Sequence, residues 1–259
     1  MALARGDPRA RLTRRRALAD RAHRVYRPRV SLTLASRWNA LPDGIERWSV
    51  CNALAALAGA GLSVGLRDAK PAVLVAAVAL GFAFYRAAPR EALIPSAITA
   101  SRVALLCAAL GLAAEREYWV ATAALANFAL DGLDGWAARQ LDQSTAFGAR
   151  FDMECDSHTV LLLDLHLFLH GGYPAWVLWA GALRYVYVLT RFVVGPRELR
   201  ERRSNVTRWV FSLVFVSRTF ACLPDMHALA LPLLALATLA VTASFAPDFY
   251  ALRSARAVR

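Results

Sequence analysis

Four aspartates in the middle of the chain have a spacing that matches the turn of a helix. Asp131 and Asp134 are three residues apart, so at about 100° per residue they lie roughly 60° apart on one helix face. Asp152 and Asp156 are four residues apart and also share a face. The connection between the two pairs is short, which predicts adjacent antiparallel helices and brings all four carboxylates to one level.

Four clustered carboxylates repel one another and are costly to remove from water, so a cation must offset their charge. Hard oxygen ligands of this kind suit Mg²⁺ or Mn²⁺, which keep coordination positions open for phosphate oxygens. Two such ions about 4 Å apart would stabilise the attacking and leaving oxygens of a phosphoryl-type transfer. The sequence therefore predicts a two-ion site for phosphate chemistry. The alternative, ordinary interfacial charges, suits a lone pair of aspartates better than two pairs in helical phase.

Small and basic residues lie between the two aspartate pairs. Gly135 follows Asp134 directly, where a larger side chain would obstruct a nucleotide, and Gly148 is expected in the loop that faces the site. Arg139 can donate two parallel hydrogen bonds to a phosphate at the membrane edge. These residues favour a nucleotide pocket beside the carboxylates, and the alternative is that the glycines only loosen the connection.

The composition predicts that these residues belong to an integral membrane protein. The chain is 58% hydrophobic yet has a formal net charge of +12, and its first 48 residues are rich in arginine. A nucleic-acid-binding protein would also be basic, but it would not carry several apolar segments, each near the roughly 20 residues that cross a bilayer. The four cysteines have no CxxC spacing and are expected to be packing residues.

Eight apolar runs, rich in Ala and Leu, predict an all-α membrane protein with eight helical spans. Their approximate limits are 48–66, 71–86, 95–114, 118–138, 152–170, 174–194, 208–224 and 228–247. If the basic N-terminal arm is cytosolic, the arginine-containing connections at 87–94, 139–151 and 195–207 and the C-terminal tail fall on the same side, as the positive-inside rule requires. This topology puts the four aspartates at the cytosolic face.

The residues from Asp131 to Asp156 read D-x2-D-G-x2-A-R-x8-G-x3-D-x3-D, and in this they resemble the signature of the CDP-alcohol phosphatidyltransferase family at every fixed position. The resemblance implies transfer of a phosphatidyl group from CDP-diacylglycerol or a similar CDP-lipid to an alcohol, with release of CMP. It also implies a catalytic bundle of six transmembrane helices, here the last six spans, and a homodimer. The chain then divides into a basic cytosolic arm (1–47), an additional transmembrane hairpin (48–90), the catalytic domain (91–247) and a basic tail (248–259).

The resemblance also implies roles for the signature residues. The metal ligands would be Asp131, Asp134, Asp152 and Asp156, and the residues of the CDP pocket would be Gly135, Ala138, Arg139 and Gly148. Asp156 would also be the general base that takes the proton from the acceptor alcohol. That role is chemically sensible, because a carboxylate among three others is a stronger base than an isolated one.

A weaker similarity to the family precedes the third span. Many members read P-N-x2-T-x2-R there, whereas this chain has Pro95, Ser96, Thr99 and Arg102 at the corresponding positions. Thr99 and Arg102 are therefore candidates for contacts with the CDP-lipid. An equally good interpretation is helix capping by Ser96 and an arginine that snorkels to the membrane surface.

Three further charged residues follow the signature or lie within it. Glu154 is about 160–200° around the helix from Asp152 and Asp156, so it is expected to face away from them. Asp164 lies deeper in the fifth span, and Arg184 on the next span is its expected partner. Arg184 is alternatively a contact for the phosphate of an acceptor.

Three alternatives to the transferase stay open at this point. An intramembrane prenyltransferase is also helical and rich in aspartate, but it places its two motifs far apart in sequence rather than within one hairpin. A divalent-cation transporter would want acidic groups near the membrane midplane, whereas these are expected at the cytosolic edge. A catalytically silent relative is the third alternative. The sequence leaves the acceptor alcohol open, and the expected location is the bacterial plasma (inner) membrane.

Overall fold

A computed structural model of the chain describes residues 34–39, 41, 44–87, 93–113, 117–194 and 205–257. Every regular element in these ranges is helical. The elements are α1 (Leu34–Asn39), α2 (Gly44–Leu66), α3 (Lys70–Ala87), α4 (Leu93–Ala113), α5 (Glu117–Gln140), α6 (Ala146–Leu169), a short 3-10 turn (Ala175–Val177), α7 (Leu178–Val194), α8 (Asn205–Ala221) and α9 (His227–Ala257). The predicted all-α architecture is confirmed for this part of the chain.

Each of the eight predicted spans corresponds to one helix from α2 to α9. The boundaries differ most at two ends, because α6 already begins at Ala146 and α9 continues to Ala257. The segments that are both long and apolar enough to cross a membrane are Glu46–Leu66, Leu93–Leu112, Ala175–Val194 and His227–Ser254. Helices α5 and α6 are not among these four, and both carry site aspartates within their apolar stretch. The chain is thus a helical membrane bundle.

Helix α6 lies at the centre of the bundle. It packs against α2, α3, α4, α7 and α8, and its residues are buried without interruption from Ser157 to Leu167. A helix that is surrounded on all sides needs apolar residues on every face, and this stretch is mostly leucine and valine. The additional hairpin, formed by α2 and α3, packs directly on this central helix and is therefore an integral part of the bundle.

The two helices that carry the aspartates are joined by residues 141–145, yet they do not pack closely against each other within the described residues. Helix α4 packs closely against both of them. Oxygens of Asp131 on α5 and of Asp152 and Asp156 on α6 lie within 4.8 Å of one another, as expected for neighbouring helices, but close packing of α5 on α6 is not observed in the described part of the chain. The physical reason is that charged side chains, the four aspartates and Arg102 of α4, occupy the space between the two helices.

The four cysteines are free thiols, three of them on α2, α4 and α6 and the fourth, Cys222, in the turn that follows α8. Cys107, Cys155 and Cys222 are buried, which confirms that they are packing residues. Cys51 is exposed on α2, so the same expectation is wrong for this residue.

Much of the predicted charge topology concerns residues outside the described ranges. Residues 1–33 of the basic arm, residues 88–92, the connection at 195–204 and residues 258–259 all belong to this group. The cytosolic orientation of both ends and the division into four domains therefore remain predictions.

Candidate active site

Thr145 determines where α6 begins. Its side chain accepts a hydrogen bond from the backbone N–H of Gly148 at 3.0 Å, which satisfies one of the free N–H groups of the first turn. Gly148 therefore belongs to the first turn of α6, and the prediction that it lies in the preceding loop is wrong. A Cβ at this position would lie 3.3 Å from the Thr145 hydroxyl, so the glycine leaves room for the cap.

The four predicted aspartates converge on the guanidinium of Arg102 between α5 and α6. Nη1 of Arg102 donates to Oδ1 of Asp131 at 2.5 Å. Nη2 donates to Oδ1 of Asp156 at 2.8 Å and also to Oδ1 of Asp152. Nε lies 3.5 Å from Oδ2 of Asp134. One cation from α4 thus contacts all four carboxylates.

Arg102 is almost inaccessible, with 1% of its side chain exposed. The interpretation that this arginine snorkels to the membrane surface is wrong, because it points into the carboxylate cluster. One guanidinium does not neutralise four carboxylates, so the cluster still attracts further cations. The sequence contained a signal for this arrangement, since a charge inside an apolar span needs partners of opposite sign.

Three of the four carboxylates form a group that suits a divalent cation. One oxygen from each of Asp131, Asp152 and Asp156 lies within 4.8 Å of the other two. Oxygens that bind one ion at about 2.0–2.6 Å lie within about 5 Å of each other, so these three fit a common cation without large movement. Carboxylate oxygens are also the donors that Mg²⁺ and Mn²⁺ prefer.

Asp134 differs from the other three aspartates in its exposure. Its side chain is 8% exposed, compared with 44% for Asp131, 39% for Asp152 and 18% for Asp156. Its Oδ2 accepts a hydrogen bond from the Thr99 hydroxyl at 2.7 Å. Thr99 is one turn before Arg102 on α4, so these two residues of the family-like pattern both contact the aspartates. Their predicted contact with the CDP-lipid remains a prediction.

A buried amide beside Arg102 joins α4 to α5. The amide of Asn127, a fully buried residue of α5, donates to the carbonyl oxygen of Arg102 at 2.9 Å and ties the two helices together beside the site. Asn127 was not among the residues predicted from the sequence, although an amide inside an apolar run was the available signal. Ser96 lies within α4, which begins at Leu93, so the interpretation of Ser96 as a helix cap is wrong.

The remaining signature residues lie along the last two turns of α5. Arg139 is exposed, and its Nη1 would lie 3.3 Å from a Cβ at Gly135, so its side chain lies back over that glycine. Ala138 is half-buried beside it. Both the glycine and the arginine are therefore near the aspartate cluster, and their roles in a CDP pocket remain predictions.

The predicted ion pair between Asp164 and Arg184 does not form. Nη2 of Arg184 donates to Oε1 of Glu154 at 2.8 Å instead. Glu154 and Asp164 are ten residues apart on α6, which is about 15 Å along the axis, so Arg184 cannot serve both. The expectation that Glu154 faces away from Asp152 and Asp156 is confirmed, because its partners lie on α2 and α7.

Asp164 has a different partner, Arg218 of α8. Nε of Arg218 donates to Oδ1 of Asp164 at 3.0 Å, and neither side chain is exposed. The other carboxylate oxygen accepts a hydrogen bond from the backbone N–H of Gly181 at 2.8 Å, in the first turn of α7. Arg218 was not among the partners predicted from the sequence. This buried network joins three helices away from the aspartate cluster.

Comparisons with known proteins agree with the geometry. The family model of the CDP-alcohol phosphatidyltransferases matches residues 92–245. The CDP-diacylglycerol–inositol 3-phosphatidyltransferase 1 of Arabidopsis thaliana is 28% identical over 133 residues, which are 50% of this chain and 58% of that protein. The probable CDP-diacylglycerol–inositol 3-phosphatidyltransferase 2 of the same plant is 28% identical over 151 residues, which are 56% of this chain and 67% of that protein. No solved structure matches the chain.

The chain thus spans between 58% and 67% of the length of the two plant relatives. The family model matches residues 92–245, which are more than half of the 259-residue chain and contain every signature position from Asp131 to Asp156. The predicted membership is confirmed, and the chain belongs to the CDP-alcohol phosphatidyltransferase family of transferases.

Proposed function

We propose that this protein transfers a phosphatidyl group from CDP-diacylglycerol, or a similar CDP-lipid, to an alcohol and releases CMP. The observation that carries the proposal is the convergence of three carboxylate oxygens, from Asp131, Asp152 and Asp156, within 4.8 Å of one another. Family membership supports the same reaction class, and both plant relatives are named for it.

Mg²⁺ or Mn²⁺, bound as two ions as the sequence predicts, is the proposed cofactor.

 The donor set fits such ions, because all four candidate ligands are carboxylates and three of them already lie close enough to share one cation. When bound, the ions would withdraw electron density from the donor phosphates and stabilise the charge that develops during transfer. The candidate ligands are Asp131, Asp134, Asp152 and Asp156.

The protein's own residues carry the remaining steps of the proposed reaction. Asp156 accepts the proton of the acceptor hydroxyl while the oxygen attacks the lipid-side phosphorus. A new bond forms between that oxygen and phosphorus, the bond from phosphorus to the CMP oxygen breaks, and CMP leaves with the bonding electrons. Gly135, Ala138, Arg139 and Gly148 are the proposed CDP pocket, and Thr99 and Arg102 border it from α4.

The acceptor is proposed to be a small polar alcohol. Both plant relatives are named for inositol, so inositol is the first compound to test. Arg184 is a weaker candidate for an acceptor contact, because its guanidinium is already paired with Glu154. The panel should also contain inositol phosphate, glycerol phosphate, serine and choline.

The deciding experiment uses the purified full chain in lipid vesicles with labelled CDP-diacylglycerol. We expect CMP and a new phospholipid to appear together, only when an acceptor and Mg²⁺ or Mn²⁺ are both present. Asp131→Asn should abolish both products. Metal-dependent ion flux without CMP formation would contradict the transferase and support the divalent-cation transporter instead.

The location, the orientation and the oligomeric state of the enzyme are also proposals. The distribution of arginine favours an active site at the cytosolic face of the membrane, and the expected membrane is the bacterial plasma membrane. The family resemblance favours a homodimer. The orientation is tested by the accessibility of a cysteine introduced near the site to a membrane-impermeant reagent. The homodimer is tested separately by cross-linking in membranes.

A further inference from the structure

Helix α2 precedes the family match yet presents a row of polar side chains to the catalytic core. Glu46, Ser49 and Asn52 are spaced three residues apart, so they lie along one face on successive turns. Ser49 and Asn52 are each 2% exposed. Polar groups buried in a membrane helix need partners. All of their partners described below lie on α6 and α7.

The central contact of this row is the carboxylate of Glu154, which is fully buried on α6. Its Oε1 accepts hydrogen bonds from the Ser49 hydroxyl at 2.5 Å and from Nη2 of Arg184 at 2.8 Å. Its Oε2 accepts from Nδ2 of Asn52 at 2.9 Å. Two side chains of α2 and one of α7 therefore hold this carboxylate on both oxygens.

Asn52 extends the contact to the next turn of α6. Its Oδ1 lies 2.9 Å from Nε2 of His158. Since the amide nitrogen of Asn52 donates to Glu154, the amide oxygen faces His158 and can only accept, so Nε2 of the histidine carries the proton. His158 also contacts Tyr185 of α7 edge-on, with ring centroids 5.5 Å apart. One amide thus bridges two successive turns of α6.

Glu46 makes the corresponding contact one turn earlier. Its carboxylate pairs with Arg150 of α6 and, at 3.2 Å, with Nη2 of Arg191 of α7. The α6 residues that pair with the polar side chains of α2 are therefore 150, 154 and 158, spaced four residues apart on one face. Asp152 and Asp156 alternate with them and lie roughly on the opposite face. Helix α2 therefore contacts the face of α6 opposite the face that carries Asp152 and Asp156.

We infer that α2 is a positioning element for the active site, in which Ser49 and Asn52, through Glu154 and His158, set the rotation of α6 that turns Asp152 and Asp156 toward Asp131. This inference rests on the proposed function. Hydrogen bonds are directional, so those to Glu154 and His158 fix the rotation of α6 in addition to the apolar packing around it. The additional hairpin then contributes to catalysis through the position of α6.

The test compares two variants of this row with a matched control on the same helix. Asn52→Leu and Ser49→Ala remove hydrogen bonds to α6. Ser63→Ala removes a buried hydroxyl that accepts a hydrogen bond from the backbone N–H of Ala72, so it affects the contact of α2 with α3 instead. Ser49→Thr keeps a hydroxyl and should restore function. All variants are made in the full chain.

Two measurements separate positioning from a merely structural role. Mn²⁺ binding is followed by electron paramagnetic resonance, and CMP release gives kcat and KM. Because a displacement of about 1 Å can lower a rate by about 100-fold, we expect Asn52→Leu to lower kcat by roughly 10- to 100-fold with little change in the KM for the CDP-lipid. We also expect Asn52→Leu to bind Mn²⁺ more weakly, while its melting temperature stays close to that of Ser63→Ala.

The outcomes distinguish this inference from the proposed function. If the wild-type chain neither binds Mn²⁺ nor releases CMP, the proposed function fails. If the wild type does both and Asn52→Leu and Ser49→Ala match Ser63→Ala in kcat and Mn²⁺ affinity, only the positioning role is overturned. If Asn52→Leu does not fold, Ser49→Ala and its comparison with Ser49→Thr decide the question.

Discussion

Nη2 of Arg102 lies 2.8 Å from Oδ1 of Asp156, so the proposed general base is paired with a buried guanidinium on another helix. The same guanidinium donates to Asp131 and Asp152, which are the other two members of the carboxylate group that suits a cation. Arg102 and a divalent ion therefore compete for the same oxygens. This competition links metal binding to the position of α4.

Replacing Asp156 with asparagine should remove the proton acceptor while preserving the size of the side chain. General base catalysis contributes typically 10²- to 10⁴-fold, so we expect CMP release to fall by about that factor. The measurement is the rate of CMP release with saturating CDP-diacylglycerol and acceptor. Asp142→Asn is the control, since Asp142 is exposed in the turn after α5 with φ 52°, a conformation that asparagine tolerates. Normal turnover in Asp156→Asn would show that another group is the base.

Replacing Arg102 with glutamine should make the stability of the protein depend on divalent cations. The change leaves the four carboxylates without their buried counter-ion, which typically destabilises a protein by about 3–5 kcal/mol. We expect a lower melting temperature in EDTA and recovery when Mg²⁺ is added. Arg86→Gln, at the exposed end of α3, should change neither. A melting temperature of Arg102→Gln that ignores Mg²⁺ would argue against cation binding at the cluster.

The pair formed by Asp164 and Arg218 should contribute to folding and not to chemistry. Arg218→Met leaves a fully buried carboxylate without its counter-ion, so we expect a loss of about 3–5 kcal/mol. In the double variant with Asp164→Asn, the amide oxygen can still accept from Gly181, and much of the stability should return. Thermal unfolding in detergent and CMP release per folded molecule test both statements. A double variant no more stable than Arg218→Met would show that the pair is not coupled.

Replacing Gly181 with alanine should disturb the contact between α6 and α7. The new Cβ would lie 2.5 Å from the Cα of Leu161, and backbone cannot move aside as a flexible side chain can. Overpacking of this kind typically destabilises by about 1–3 kcal/mol. Gly61→Ala is the matched control on α2, because a Cβ there meets nothing within 4 Å. Equal melting temperatures for the two variants would contradict the close approach of α6 and α7.

The positions of the helices and the membership of the aspartate cluster were both predictable from the sequence. The apolar runs are interrupted by charged residues, glycine and proline at intervals that match most ends of α2 to α9 within a few residues, whereas α6 begins earlier and α9 continues through Pro247. The phase of Glu154 relative to Asp152 and Asp156 was also predictable, because the angle between residues of one helix depends only on their separation.

The partners of Arg102, Glu154 and Asp164 were not predictable in the same way. Arg184 was assigned to Asp164 on the basis of proximity in sequence, although Glu154 is its partner. Which carboxylate Arg184 contacts depends on how α6 and α7 are placed along their axes relative to each other. It also depends on α8, which supplies Arg218 as the partner of Asp164. No pattern within a single helix contains that information.

The sequence alone therefore specifies which residues belong to each helix and which of them share a face, since both follow from local backbone geometry. Only the tertiary structure decides which faces meet. Helices such as α2 and α4 are apolar around most of their circumference, so hydrophobicity does not select one side. The buried polar contacts select it instead, and they join residues as far apart as Asn52 and Glu154. This is why the aspartate cluster was found in the sequence, whereas Arg102 at its centre and α2 behind it became clear only from the fold.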